Sequence, residues 1–283
     1  MNGRLKIVTS MLIWGSVGIF ARFSRVSGLS VAFLRVGIGS LLLLILLLPR
    51  DSSVLHSAME ILRRKPKPLM ALGTALALNW VFLFTAINYT TIANAVLVYY
   101  LAPVIATLIS WRFLGERLSK RRWILIGMAF LGLLLIGSGQ EIDVANRNFI
   151  GVVLAFIAAI FYAMIPNLGR FLRDVDGKLL TLLQLSIATL VLTPFIAKTG
   201  IGTPAWWSIL VLVVVHTVLA LFLYMEGLKE VQVNEAALLS YLDPLSAVIY
   251  ALLIFGEVPG MRTVIGGTLI LMASILDIKA RGS

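Results

Sequence analysis

Three ionisable side chains stand inside long apolar runs of this chain: Arg35, His216 and Asp243. A carboxylate at the centre of a bilayer costs roughly 2.5–3.5 kcal/mol on insertion scales, so Asp243 lines a cavity or stays protonated. The first role would let it couple proton movement to solute movement. The second would make it the neutral half of an Asp-Pro kink. His216 carries a ring that exchanges a proton near neutral pH, so it could relay to Asp243 or donate to a ligand. Its plainer alternative is a buried imidazole bonded to a neighbouring helix. Arg35 offers a planar fork suited to a substrate carboxylate, and it could equally snorkel to the interface beside Arg22 and Arg25. Pro103 and Pro244 add backbone chemistry, because neither can donate to the carbonyl four residues back, at Tyr99 and Ser240. Each predicts a kink and a free carbonyl near the bilayer centre, hinge and ligand acceptor together, unless a Ser or Thr fills it.

The elements that must hold these groups are set by composition. Of 283 residues, 60% are hydrophobic and 13% charged, with a mean hydropathy of +0.99. Soluble domains are about a quarter charged. The chain therefore reads as an all-α polytopic membrane protein. A crossing needs roughly 20 apolar residues, and ten segments qualify: 6–22, 30–48, 69–89, 92–113, 123–139, 149–169, 179–197, 204–227, 233–254 and 261–278. Arg4 and Lys6 before an apolar run resemble a signal-peptide start, but no small-x-small site follows before Arg22, so the first span is expected to be retained. Trp206-Trp207 falls where an interfacial aromatic belt would lie.

The formal charge of +11 follows from 24 Lys+Arg against 13 Asp+Glu, and topology accounts for it. Eighteen of the 24 fall in segments on the N-terminal side of the membrane, and only Arg22, Arg25, Arg147, Lys198 and Arg262 fall opposite. The positive-inside rule puts both termini in the cytoplasm of a plasma (inner) membrane. The runs Arg63-Arg64-Lys65-Pro66-Lys67 and Lys120-Arg121-Arg122 read as anchors on anionic lipid. A nucleic-acid partner is not expected. Zero cysteines exclude thiolate metal sites, and two histidines leave a His-rich metal site implausible. No cofactor motif stands out.

An internal repeat organises the rest. At an offset of 141, Tyr100-Leu101-Ala102-Pro103 falls on Tyr241-Leu242-Asp243-Pro244. Gly115-Glu116 falls on Gly256-Glu257, twelve residues after each proline. Two five-span halves follow, 1–140 and 141–283. Five is odd, so the second half must enter from the other side, a 5+5 inverted-topology repeat. Inverted repeats with a site at their interface are the mark of alternating-access transporters. Glu116, Glu226, Glu235 and Glu257 lie near helix ends, where capping and solvation are the expected roles. Gly127, Gly132 and Gly137 with Gly266 and Gly267 predict close helix packing, in a monomer or a weak homodimer.

The five-plus-five pattern, the paired Pro…Gly-Glu, Trp14-Gly15-Ser16 and Arg35 resemble the EamA-type drug/metabolite transporter superfamily. The resemblance covers essentially the whole chain. It implies export of amino acids or other small metabolites through a central cavity lined by spans 1, 3, 4, 6, 8 and 9. On those spans it implies a substrate site at Trp14, Asn79, Trp80, Tyr99, Tyr100, Tyr162, His216 and Tyr241. Asp243 with His216 would then be the coupling pair, Pro103 and Pro244 the hinges, and Arg35 an anion-binding group. An uncoupled facilitator is the alternative within the same class. A membrane-embedded enzyme is the rival from another class, and the chain has no HExxH, no paired intramembrane aspartates and no Gly-rich phosphate loop.

Overall fold

A computed structural model describes residues 2–49, 53–115, 118–138, 146–228, 230–231 and 239–281. In hydrocarbon a chain must satisfy its own N–H and C=O groups, and helices do so within one segment. The described residues are accordingly helical. Eight helical segments are long and apolar enough to cross a membrane: Gly3–Phe23, Gly28–Leu47, Pro66–Tyr89, Ile92–Phe113, Lys120–Ser138, Arg147–Leu172, Gly177–Thr199 and Trp206–Tyr224. The spans expected at 233–254 and 261–278 appear as shorter apolar helices, Leu242–Phe255 and Met261–Leu276. The chain is a polytopic all-α membrane protein. The expected boundary between halves at 140–141 lies outside the described residues, as do Glu116 and Glu235.

Several segments are subdivided. The first consists of α1 (Gly3–Gly15) and α2 (Val17–Phe23), separated at Ser16. Then follow α3 (Gly28–Leu47), α4 (Val54–Arg64) and α5 (Pro66–Tyr89). The fourth segment is α6 (Ile92–Tyr99) and α7 (Ala102–Leu114). Next come α8 (Lys120–Ser138), α9 (Arg147–Gly169) and α10 (Gly177–Thr199). The eighth is α11 (Trp206–Val213), a π-helical turn (Val214–Leu219) and α12 (Ala220–Leu228). The last two are α13 (Leu242–Phe255) and α14 (Met261–Arg281). Side-chain caps mark the starts that polar residues make legible: Ser27 for α3, Thr91 for α6, Asn146 for α9 and Asp176 for α10.

One element differs from the loop expected between spans 2 and 3. Residues 54–64 form α4, which exposes Leu55 and Met59 and ends on Arg63 and Arg64. Apolar residues one turn apart with a basic end suit an interfacial helix on a lipid surface.

Packing follows a simple scheme. α5 lies along α9, α3 lies against α5 and α10, and α1 lies against α12 and α13. α6 joins α9 to α13, and α8 packs on α14. The last contact explains two of the glycines. A Cβ on Gly132 would strike the Gly266 carbonyl oxygen, and one on Gly266 would meet that of Gly132. Those glycines serve helix packing within the chain, while Gly127 and Gly137 have nothing within 4 Å.

Candidate functional site

A helix break and a helix start meet in the middle of the bundle. α6 ends at Tyr99, and Tyr100-Leu101 make a turn before α7 begins. Opposite, Ser240-Tyr241 turn before α13 begins. Pro103 and Pro244 thus lie in the first turns of new helices, where a missing N–H leaves no bond unmade. The expected kink at Pro103 is an outright break, and Pro244 follows a turn at Ser240-Tyr241. The expected free carbonyl at Ser240 is a correction: it accepts from Asp243 N at 3.2 Å, and the Tyr100 hydroxyl lies 3.4 Å away.

Tyr100 donates to Asp243 Oδ2 at 2.7 Å, bridging the two breaks. Oδ1 of Asp243 takes no partner among the described residues and is not sealed off. Around it the rings form a chain. Tyr99 stacks on Tyr162 at 5.0 Å and 7°, meets Tyr100 edge-on at 6.3 Å, and Tyr100 faces Tyr241 at 6.0 Å. Span 1 reaches this point only because residue 15 is glycine. A Cβ on Gly15 would collide with Ser246 Oγ and sit 2.8 Å from the Asp243 carbonyl oxygen.

Arg35 belongs to the interior, which decides between the two expected positions. It is buried, its Cζ lies 4.1 Å from the Trp80 ring centroid, and Nε donates to Thr217 Oγ1 at 3.0 Å. Thr217 spends its own proton on the Leu212 carbonyl at 3.1 Å, so its oxygen is left to accept from Arg35. With Nε engaged and the plane stacked on indole, the Nη edge is the free edge; it has no hydrogen-bond partner among the described residues. Arg35 and Asp243 form no ion pair or hydrogen bond with each other among the described residues. Among the described residues no three His, Asp or Glu side chains converge as metal ligands would.

His216 takes a different role from the one expected. Its Nδ1 lies 3.1 Å from the Val211 carbonyl and its Nε2 lies 2.8 Å from Ser16 Oγ. Ser16 Oγ also lies 2.7 Å from the Ile13 carbonyl, so its one proton is shared between that oxygen and Nε2 of an imidazole that donates from Nδ1. Both nitrogens are therefore engaged, and the ring is buried. Asp243 is partnered by Tyr100, so the expected Asp243–His216 relay is not brought together. Trp14 Nε1 donates to the His216 carbonyl at 2.7 Å, and its ring packs on Tyr224 at 5.3 Å. Asn79 is likewise a correction. It is 1% exposed, its amide donates to the Ala158 carbonyl at 2.9 Å, and it bonds the Tyr99 hydroxyl at 3.2 Å. It orients Tyr99 and has no edge left for a ligand.

Sequence reasoning missed Thr217, Ser16 as the partner of His216, and Tyr224. Thr217 and His216 face their partners through the π-turn, whose i to i−5 spacing no residue pattern announced.

The sequence profile of the EamA-like transporter family matches residues 1–138 and again residues 149–277. The chain belongs to the EamA-like transporter family. Among similar members, the "Uncharacterized transporter YxxF" of Bacillus subtilis (strain 168) is 27% identical over 98% of this chain and 89% of its own length. The "Uncharacterized inner membrane transporter YicL" of Salmonella typhimurium is 26% identical over 98% and 95%. The "S-adenosylmethionine uptake transporter" of Rickettsia felis is 24% identical over 90% and 84%. A solved crystal structure superposes with a TM-score of 0.64 over 99% of this chain and 98% of the other at 22% identity, a likeness of fold. This EamA-family protein is a multi-pass membrane transporter with a small-molecule substrate.

Proposed function

We propose that the protein is a secondary transporter that exports amino acids or related zwitterionic metabolites by alternating access. It does so through ten spans arranged as two inverted five-helix repeats, 1–140 and 141–283, with both termini in the cytoplasm. One observation carries the substrate reading. The free Nη edge of Arg35 and the free Oδ1 of Asp243 stand unpaired with each other beside Trp80, Tyr99, Tyr100 and Tyr162. A guanidinium edge suits a carboxylate bidentately. A carboxylate suits an ammonium, and the rings suit an apolar or cationic side group.

The repeat reading is supported by packing that maps onto itself when the halves are exchanged. α5 on α9 pairs with α12 on α1, α7 on α9 with α1 on α13, and the α3–α10, α6–α13 and α8–α14 contacts are their own counterparts. Left-handed Gly115 and Gly256, at φ 71° and 66°, end α7 and α13 alike. The double match of the family profile points the same way. Proton coupling rests on Asp243. A carboxylate at this depth changes its hydration as the cavity opens to one side and then the other, and so its proton occupancy.

Reconstitution into liposomes tests the reading, with a panel of labelled amino acids and S-adenosylmethionine, which carries the same carboxylate and ammonium. Flux of a zwitterion that grows with an imposed pH gradient is expected. Flux indifferent to the gradient makes the protein an uncoupled facilitator. Chemical conversion of the solute would mean an enzyme instead. Transport confined to solutes lacking the carboxylate would sink the Arg35 assignment.

A further inference from the structure

At the end of the bundle remote from the N-terminus, four segments are tied together by one side-chain pair. Arg22, in the last turn of α2, forms an ion pair with Glu257, just beyond α13. The same guanidinium donates from Nε to the Ile87 carbonyl at 3.0 Å and from Nη2 to the Thr90 carbonyl at 2.7 Å, at the end of α5. Glu257 Oε2 accepts from Ile92 N at 2.8 Å, the first residue of α6. The carboxylate thus sits on a helix N-terminus, where the backbone dipole favours negative charge. Both side chains are largely shielded, at 20% and 14% exposure. A partly buried pair with its remaining groups hydrogen-bonded holds much better than an exposed one.

Beneath the pair lies a column of rings. Phe255 packs on Arg22 and on Phe23, Phe23 on Trp207, and Trp207 on Phe20, which touches His216 at 5.1 Å. The piece of chain these contacts hold is α2. It is seven residues long, and the interruption at Ser16 separates it from α1. The Ser16 hydroxyl is held by His216 in the π-turn. α2 therefore has a hinge at one end and a latch at the other. A cleft of 410 Å³ already opens along its side, between it and α13, lined by Ser16, Ile19, Phe20, Phe23, Tyr250 and Ile254 among others.

We propose that α2 is the gate over the central site on the membrane face opposite the N-terminus, with the Arg22–Glu257 pair as its latch and Ser16 as its hinge. The proposal rests on the alternating-access reading and says which element moves. Breaking the latch frees α2 to swing away from α13, and the site below opens to that side alone.

The absence of native cysteine makes the test direct. A single cysteine replaces Tyr100 in the full chain, and its labelling by a membrane-impermeant maleimide is timed in right-side-out and inside-out vesicles. With the latch intact, labelling from the face opposite the N-terminus should be slow. Arg22→Gln or Glu257→Gln should speed it about tenfold from that face only, because losing one partner of such a pair biases a two-state equilibrium by an order of magnitude. Gln at position 257 still accepts from Ile92 N, so the α6 cap survives and the ion pair alone is removed. The double variant should be no faster than either single one, and Lys6→Gln at the other end should leave the rate unchanged. Unchanged labelling in both folded Gln variants overturns the gate. Acceleration from both faces also overturns it, since the variants would then loosen the bundle as a whole. Failure of the amino-acid panel with this labelling pattern intact would sink the substrate reading and leave the gate standing.

Discussion

The turns before α7 and before α13 share a backbone and differ in chemistry. Each leads into a helix with a proline in its first turn and a left-handed glycine at its end. In the α6–α7 break the residue before proline is Ala102, 2% exposed and part of the core. In the α13 break it is Asp243, which takes the hydroxyl that Tyr100 sends across from the other break. Two carboxyls sharing one low-dielectric site would not both ionise, since one would keep its proton. One break thus supplies the acid and the other supplies its hydrogen-bond donor. Backbone symmetry of this kind serves motion, and the asymmetry of side chains serves the ligand.

That division can be broken most severely at Asp243. Asp243→Asn is expected to lower pH-gradient-driven flux by about 100-fold, an effect of roughly 2.7 kcal/mol, while exchange between two loaded compartments persists. Moving the acid across, as Ala102→Asp with Asp243→Ala, takes the carboxyl away from the Tyr100 hydroxyl and should not restore the driven flux. Full driven flux in Asp243→Asn would make the residue a structural kink and the two breaks equivalent. A milder cut is Tyr100→Phe, which keeps the ring and deletes only the bridging hydroxyl. The loss of one hydrogen bond to a charged group predicts about a tenfold higher half-saturation concentration. An unchanged value would show that the breaks act separately.

The amino-acid pattern made the membrane class and most spans readable, because hydrocarbon forces long apolar runs into helices whatever their neighbours. The prolines and glycines of the breaks were readable for a similar reason, since their constraints are local. Partnerships were not. His216 was read as a mid-span residue, yet its partner Ser16 lies 200 residues away and was chosen by packing. Asn79 appeared as a ligand group because its type fits one, and only the fold shows its amide consumed by Tyr99 and Ala158. Glu257 was read as a cap, which it is for α6, but its bond to Arg22 spans 235 positions. The π-turn left no mark in residue spacing at all.

The prolines test whether the two breaks matter equally as backbone. Replacing Pro103 or Pro244 by Ala allows the turn to continue as helix, stiffening the joint. Because a first-turn proline costs its helix little, transport should slow by only about three- to tenfold in each, with expression largely intact. Slowing in Pro244→Ala alone would show that the break bearing Asp243 is the one that moves. No slowing in either would remove both from the transport cycle.

The smallest effect is expected far from both breaks, and it sets the baseline for the others. Lys65 Nζ donates to Asp174 Oδ1 at 2.5 Å, tying the start of α5 to the segment after α9. This bond holds the Asp174 carboxyl below its ordinary value. A depressed acid contributes stability above the ordinary aspartate range and loses it as pH falls through the lowered folded-state value. The Lys6–Glu230 pair has the same sign, because Lys6 lowers Glu230 likewise. Both acids are exposed to solvent, and exposed pairs contribute little. Asp174→Asn should therefore lower the melting temperature slightly at neutral pH, with a gap to the parent that closes as the pH falls through the lowered folded-state value and the parent carboxyl is itself protonated. A gap that stayed constant through acid would mean that Asn disturbs the loop rather than the ion pair. Transport by this variant should match the parent at neutral pH, since the bond joins neither break to the other. A transport loss approaching that of Tyr100→Phe would show that the chemistry is not confined to the two breaks, and the comparison between them would lose its force.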